Sequence, residues 1–167
     1  MTVTNVDTDL DARTLTITAE FDAPLERVWE LWADPRKLER WWGPPAAPST
    51  FERFELEPGG TVTYFMTGSE GERFHGVWHV VAVDPPRSLD VEDSFADADG
   101  NVNPDMPTGQ MHMRLTEEDG RTRMELISVN ATKEAMQQLL DMGAAEGMRE
   151  AIGQMDALLA EGVSAGG

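Results

Sequence analysis

The segment from Phe21 to Pro45, FDAPLERVWELWADPRKLERWWGPP, constrains the fold more than any other part of the sequence. Pro24 suits the first turn of a helix, where its missing N–H is not needed. The apolar residues that follow recur at helical spacing and form one stripe, Leu25, Val28, Leu31 and Trp32. Asp34 can cap a second helical turn that begins at Pro35. The segment therefore predicts two short helices, stopped by Gly43-Pro44-Pro45, that form the wall of a concave structure.

Alternation of apolar and polar residues predicts about seven strands around these helices. The predicted strands are Arg13–Phe21, Phe51–Leu56, Thr61–Thr67, Arg73–Val83, Ser88–Phe95, Gln110–Thr116 and Arg121–Val129. Turn residues such as Pro58-Gly59-Gly60 join neighbouring strands as hairpins. A helix over Thr132–Met142 follows, and the last helix carries one apolar stripe of Met148, Ile152, Met155 and Leu159. This order predicts an α+β fold, with a long C-terminal helix against the apolar face of an antiparallel sheet.

The length of 167 residues and an apolar fraction of 40% are typical of a single globular domain. We expect residues 1–12 to be a frayed leader, residues 13–161 to form the domain, and residues 162–167 to be a flexible tail.

The charge balance limits the classes of partner. The sequence holds 31 acidic and 13 basic residues, a formal net charge of −18, which disfavours nucleic acid and anionic membranes. The absence of cysteine excludes disulfides, zinc thiolates and thiol catalysis. No apolar run approaches the ~20 residues of a membrane span, and the polar N-terminus does not resemble a signal peptide. We therefore expect a cytoplasmic protein that does not insert into membranes.

Strand parity predicts an inner face that is rich in methionine and aromatic residues. The residues expected to contact a ligand there are Trp42, Phe54, Tyr64, Met66, Trp78, Asp93, Met111, Met113 and Met148. Methionine adapts to varied apolar shapes, so this set fits a binding cavity. An ordinary packed core is the alternative interpretation of the same residues.

Asp93 is the most informative polar residue of this face, because it is a carboxylate on an otherwise apolar stretch of strand. Parity places its carboxylate among Leu89, Val91 and Phe95, where an unpaired charge is costly. Asp93 would then anchor a ligand or act as an acid or base. Alternatively, it lies near the strand end, hydrogen-bonded or hydrated.

The histidines and the acidic loop do not have the spacing of a metal site. His75 and His79 would lie ~13 Å apart along one strand, too far to share a metal ion. The segment from Asp97 to Thr108 has Val102 and Thr108 at the sixth and twelfth positions, where a calcium loop needs glycine and glutamate. We therefore predict no metal, no cofactor and no assigned catalytic residue.

Several short motifs, taken in order, resemble one protein superfamily. They are Ala23-Pro24 with Val28-Trp29, Asp34-Pro35, Trp41-Trp42-Gly43-Pro44, Pro58-Gly59-Gly60, Gly76, Val83-Asp84-Pro85-Pro86 with Leu89, and Gly147-Met148. Together they resemble the SRPBCC or START-like superfamily, within it the branch named after the activator of Hsp90 ATPase. The resemblance spans roughly residues 13–161. It implies the helix-grip fold: a curved antiparallel sheet wrapped around a long C-terminal helix, with two short helices between the first and second strands.

The resemblance implies a function class but no specific activity. Members of the superfamily hold apolar molecules between the sheet and the C-terminal helix, so the leading hypothesis is a protein that binds a small lipid, polyketide or aromatic molecule. A polyketide cyclase or aromatase-like enzyme, with Tyr64 and Asp93 as acid and base, is the first alternative. A chaperone-activating or stress-response protein with a protein partner is the second. Either a monomer or a homodimer is compatible with the sequence.

Overall fold

A computed structural model describes residues 3–43, 47–105 and 108–166, with side chains through residue 160. Within these residues an eight-stranded antiparallel sheet has the strand order β1-β2-β8-β7-β6-β5-β4-β3. The strands are β1 (Val3–Asp9), β2 (Thr14–Phe21), β3 (Ser49–Phe54), β4 (Thr61–Thr67), β5 (Arg73–Asp84), β6 (Ser88–Ala96), β7 (Thr108–Glu118) and β8 (Arg121–Asn130).

Four helices complete the described fold: α1 (Leu25–Ala33), α2 (Pro35–Leu38), α3 (Lys133–Asp141) and α4 (Ala144–Gly166). The short helices α1 and α2 follow β2, and the long helix α4 ends the chain. The predicted α+β architecture, with an antiparallel sheet and a C-terminal helix, is therefore confirmed.

The N-terminal prediction is wrong for residues 3–9. Instead of a frayed leader, these residues form β1, an edge strand that pairs with β2 in register, for example Val6 with Ile17. Val3 is buried, whereas most other β1 side chains are exposed, so the strand has too few apolar residues to reveal itself by alternation. The sheet accordingly has eight strands where about seven were predicted.

The C-terminal helix is longer than predicted. It continues to Gly166, through most of the tail expected over residues 162–167. Residues 1–2 of the expected leader, Pro44 and Pro45 at the predicted helix stop, and Gly167 lie outside the described residues.

The first two helices form as their local sequence predicts. The stripe of Leu25, Val28, Leu31 and Trp32 is buried. The Asp34 side chain accepts a hydrogen bond of 2.9 Å from the Arg36 backbone N–H and so caps α2. The Trp41 indole then donates to the Leu31 carbonyl at 2.8 Å, which folds the end of α2 back onto α1.

The helix α4 holds this wall in place from the other side. Its buried residues Ile152, Met155 and Leu159 belong to the predicted stripe, and α4 contacts β1, β2, α1 and α3. Gln154 donates hydrogen bonds to the carbonyls of Gly43, at 2.8 Å, and Trp41, at 3.3 Å. The turn after α2 is therefore tied to the C-terminal helix.

A bulge in β5 changes the parity on which the inner face was predicted. The pairing with β6 shifts between Val80 and Ala82, so that Val83 pairs with Leu89. Ala82, expected to face inward, is exposed, whereas Val83 packs against the core. One extra residue in one strand moves every following side chain to the opposite face.

Candidate functional site

An aromatic cluster fills one part of the concave side of the sheet. Its ring centroids lie 4.8 Å apart for Trp32 and Trp41, 5.0 Å for Trp42 and Trp78, and 5.0 Å for the stacked pair of Phe51 and Tyr64. Most of the contacts are edge-to-face, an arrangement that contributes about 0.5–1.5 kcal/mol per pair beyond burial. This part of the interior is packed core, as the alternative interpretation of the inner face held.

Beside the cluster, a partly enclosed cavity of about 190 Å³ lies between the sheet and α3. Strands β4 to β8 form its floor and walls, and Leu139 of α3 lies at its other side. The lining residues are Tyr64, Met66, Phe74, His75, Gly76, Asp93, Ser94, Phe95, Gly109, Gln110, Met111, Ser128, Val129, Asn130 and Leu139. The helix that borders this cavity is therefore α3, whereas the sequence led us to expect α4.

The structure brings only part of the predicted ligand-contacting set to this cavity. The residues that border it are Tyr64, Met66, Asp93 and Met111. The remaining residues, Trp42, Phe54, Trp78, Met113 and Met148, are not among its lining residues. Trp78 and Met113 are completely buried, because the aromatic cluster and the core fill the space into which parity directs them.

Sequence reasoning did not select several of the residues that do line the cavity. Phe74, Gly76 and Phe95 belong to the inner parity set of their strands, and that signal could have found them. Phe74 keeps 57% of its surface exposed and lies at the open side. Leu139 could not be found, because its position depends on how α3 docks onto β8.

A glycine lets the two polar residues of the site meet across a strand. Tyr64 on β4 pairs with Gly76 on β5, and the next inward residue of β5, Trp78, pairs with Asp93 on β6. A Cβ atom on Gly76 would lie 2.5 Å from the Tyr64 hydroxyl oxygen. The tyrosine ring therefore lies directly over Gly76, and its hydroxyl is near enough to Asp93 on the far strand for each group to shift the pKa of the other.

Asp93 lies deep in the protein but keeps partial exposure because it borders the cavity. Burial raises the pKa of its carboxyl to about 7, and the polar interaction with Tyr64 opposes part of that rise. The carboxyl therefore titrates near neutral pH. The parity prediction that placed Asp93 among apolar neighbours agrees with this position.

Tyr64 stays a neutral hydrogen-bond donor across the accessible pH range. Burial first, and then the nearby charge of Asp93, hold its pKa far above the ordinary value of a tyrosine. The indoles of Trp42 and Trp78 act in the opposite direction on this pKa. Neither indole N–H reaches hydrogen-bond geometry among the described residues, so we regard this as a weak electrostatic interaction.

Other charged groups lie away from the cavity. Asp97 accepts backbone hydrogen bonds from Asp99 and Asn101 at 2.9 and 3.0 Å, which closes a polar turn. The described residues contain no cluster of three or more histidine or acidic side chains arranged to hold a metal ion.

Comparison with known proteins identifies the family. The model described as "Activator of Hsp90 ATPase homolog 1-like protein" matches residues 22–160. This chain belongs to that family. The resemblance inferred from the tryptophan, proline and glycine motifs is therefore confirmed.

Solved structures support the assignment of this AHSA1-like chain. The crystal structure of protein Ms6760 from Mycobacterium smegmatis is 53% identical, covers 94% of this chain and 96% of its own, and has a TM-score of 0.87. A solution structure from Arthrobacter aurescens is 45% identical, with coverages of 96% and 93% and a TM-score of 0.91.

A more distant structure shares the fold alone with this AHSA1-like chain. It is CalU16 from Micromonospora echinospora, 22% identical, with coverages of 90% and 70% and a TM-score of 0.58. The comparison with curated proteins found no match. None of the described helices is long and apolar enough to cross a membrane.

Proposed function

We propose that this AHSA1-like protein binds a small apolar molecule in the cavity between β4–β8 and α3. The observation that carries the proposal is an accessible space of about 190 Å³ lined mainly by apolar and aromatic side chains, with Tyr64 and Asp93 as convergent polar groups. Binding sites for small molecules combine such apolar walls with a few polar groups.

The volume of the cavity limits the size of the ligand that it can hold. A cavity of ~150 Å³ holds a benzene molecule, so the space here suits one substituted aromatic ring or a group of similar size. A long lipid chain or a polyketide would have to extend out through the open side near Phe74.

Binding can be tested with a neutral probe of matching size. We expect propylbenzene to bind the wild-type protein in ligand-observed NMR and to lose binding in Ser128→Leu, because Ser128 borders the cavity. Ile127→Leu is the matched control, since Ile127 is the adjacent residue of β8 and does not border the cavity. Equal binding to both variants, or no binding to the wild type, would contradict the proposal.

A second candidate function, acid–base catalysis, is favoured by one observation. Asp93 borders the cavity with a pKa of about 7, near the value at which a carboxyl both donates and accepts protons efficiently. A substrate turned over by the wild type should then be turned over at least ~100-fold more slowly by Asp93→Asn. Full activity of a folded Asp93→Asn variant would eliminate this role.

A chaperone-related role rests on the family description and the acidic composition. Because the formal net charge is −18, a partner recruited by charge should bind more weakly as salt rises. Pull-down from a lysate at low and high salt tests this, and salt-independent recovery of the same partner would contradict charge-driven binding.

A further inference from the structure

The walls of the cavity carry an acidic side chain and no lysine or arginine. Asp93 is its acidic residue, and no lysine or arginine is among the lining residues. The residues outside the described ranges add no lysine or arginine either. His75 contributes to the wall, but its ring packs against Phe65, 5.6 Å away between centroids, on the other face of the sheet. A negative charge on Asp93 therefore has no cationic side chain from the protein in the cavity.

The hydrogen-bonding capacity of Asp93 also exceeds what the protein supplies. An ionised carboxylate has two oxygens with about four acceptor positions, and the one polar side chain whose interaction lowers the pKa of Asp93 is Tyr64. No backbone or side-chain hydrogen bond of normal geometry from any described residue reaches the Asp93 carboxylate. Donors that complete its environment must therefore come from the contents of the cavity.

The rest of the wall favours an ammonium group over other donors. Phe95 lines the cavity two residues along β6 from Asp93, and aromatic rings attract cations. An anionic ligand would meet the carboxylate and the formal net charge of −18 without a compensating cation.

We propose that the cavity takes a small protonated amine carried on one aromatic ring or an apolar group of similar size. Its ammonium pairs with the Asp93 carboxylate and its ring lies against Met111 and Phe95. This inference rests on the proposed binding function and specifies the chemical class of the ligand.

The pairing makes amine binding depend on pH. The titratable residues around the cavity are Tyr64 on β4, His75 on β5 and Asp93 on β6, while β7, β8 and α3 contribute none. Tyr64 stays neutral and His75 faces away, so Asp93 governs the response. An alkylamine stays protonated below pH 9. Since the pKa of Asp93 is about 7, its ionised fraction rises about thirtyfold between pH 5.5 and pH 8. Amine affinity should rise with this fraction, by up to the same factor.

Three probes of nearly the same shape test the inference: 2-phenylethylamine, neutral propylbenzene and anionic 3-phenylpropionate. Isothermal titration calorimetry at pH 8 should give the amine at least about tenfold higher affinity than either other probe. Asp93→Asn should remove that preference, so that the variant binds 2-phenylethylamine and propylbenzene with affinities within about twofold of each other. The wild-type pH series keeps the test independent of how well the variant folds.

The outcomes separate the two proposals. Propylbenzene or 3-phenylpropionate binding as tightly as the amine, or amine affinity that does not rise with pH, overturns the amine inference and leaves the binding function standing. Failure of all three probes to bind the wild type overturns both. An amine preference that persists in folded Asp93→Asn also overturns the assignment to Asp93.

Discussion

At the scale of single residues, the site depends on a missing side chain. Gly76 is the residue over which the Tyr64 ring lies, so the strand between Tyr64 and Asp93 presents no obstacle. Its backbone needs no unusual conformation, and the requirement for glycine comes from space alone. The tyrosine and the aspartate are visible in the sequence, but their proximity depends on this gap.

Gly76→Ala should therefore be destabilising. Its Cβ would lie 2.4 Å from Tyr64 Cζ, so the tightly packed ring must move, at a cost of about 1–3 kcal/mol in the free energy of unfolding. Gly147→Ala is the matched control, because a Cβ there meets nothing within 4 Å. We expect the control in helix α4 to be neutral or stabilising by up to ~1 kcal/mol. Urea denaturation of both variants measures the difference, and equal stabilities would show that the ring adjusts freely.

Asp93 should give the protein a specific pH dependence. Its folded pKa of about 7 lies above the ordinary value of 3.8, so the folded state holds the proton more tightly. Well below pH 3.8 the residue is protonated in both states and costs nothing. As pH rises to 7, ionisation favours the unfolded state, and stability falls by at most about 4 kcal/mol.

The comparison with Asp93→Asn isolates this effect. Other carboxyls with shifted pKa values, such as Asp90 and Asp97, titrate in both proteins and cancel in the difference. We expect the stability of wild type minus that of the variant to decrease from pH 4 to pH 7 and then level off. A difference independent of pH would place Asp93 in a hydrated environment.

At the scale of elements, the sequence predicted the buried face correctly where the apolar period is regular, and it failed where the period is interrupted. The α1 stripe is buried as predicted, and so is the α4 stripe except for the partly buried Met148, because each helix needs only its own 3.6-residue period to define a face. In β5, the bulge after Val80 reverses the parity and exposes Ala82. β1 was missed because an edge strand is held by pairing with β2 more than by its own side chains.

The link between α4 and the turn after α2 can be tested directly. Gln154→Ala removes the donor to the Gly43 and Trp41 carbonyls and should cost about 1 kcal/mol. Gln137→Ala in α3 is the matched control, since its hydrogen bond to Asp141 is exposed and should contribute only about 0.2–0.5 kcal/mol. Thermal and urea unfolding measure both, and an equal loss in the two variants would contradict the linking role.

At the scale of the whole molecule, repulsion among the excess negative charges destabilises the folded state. A formal net charge of −18 on 167 residues causes self-repulsion that is strongest at low ionic strength. The cavity itself adds a further acid, Asp93, without a basic partner on its walls. The excess of acidic over basic groups therefore extends from the overall composition to the wall of the cavity.

Stability should rise with salt for this reason. Between ~10 mM and ~100 mM salt the screening length falls from ~30 to ~10 Å, so repulsion among exposed carboxylates weakens. We expect the free energy of unfolding to increase by on the order of 1 kcal/mol. Urea denaturation in sodium chloride measures this, and a decrease would mean that ion pairs such as Arg114–Asp90 and Lys37–Glu30 outweigh the repulsion.

The sequence by itself determined the fold class, the two capped helices, the α4 stripe and the family, since these depend on local periodicity and on short motifs. It also placed Tyr64, Met66, Asp93 and Met111 on the inner face, because side chains alternate along a strand. Only the tertiary structure decided which inward residues border a cavity. Trp42 and Trp78 became core because tryptophans from three separate elements meet there, and Leu139 reached the cavity through the docking of α3. Such contacts join residues far apart in the chain, where neither spacing nor composition carries the information.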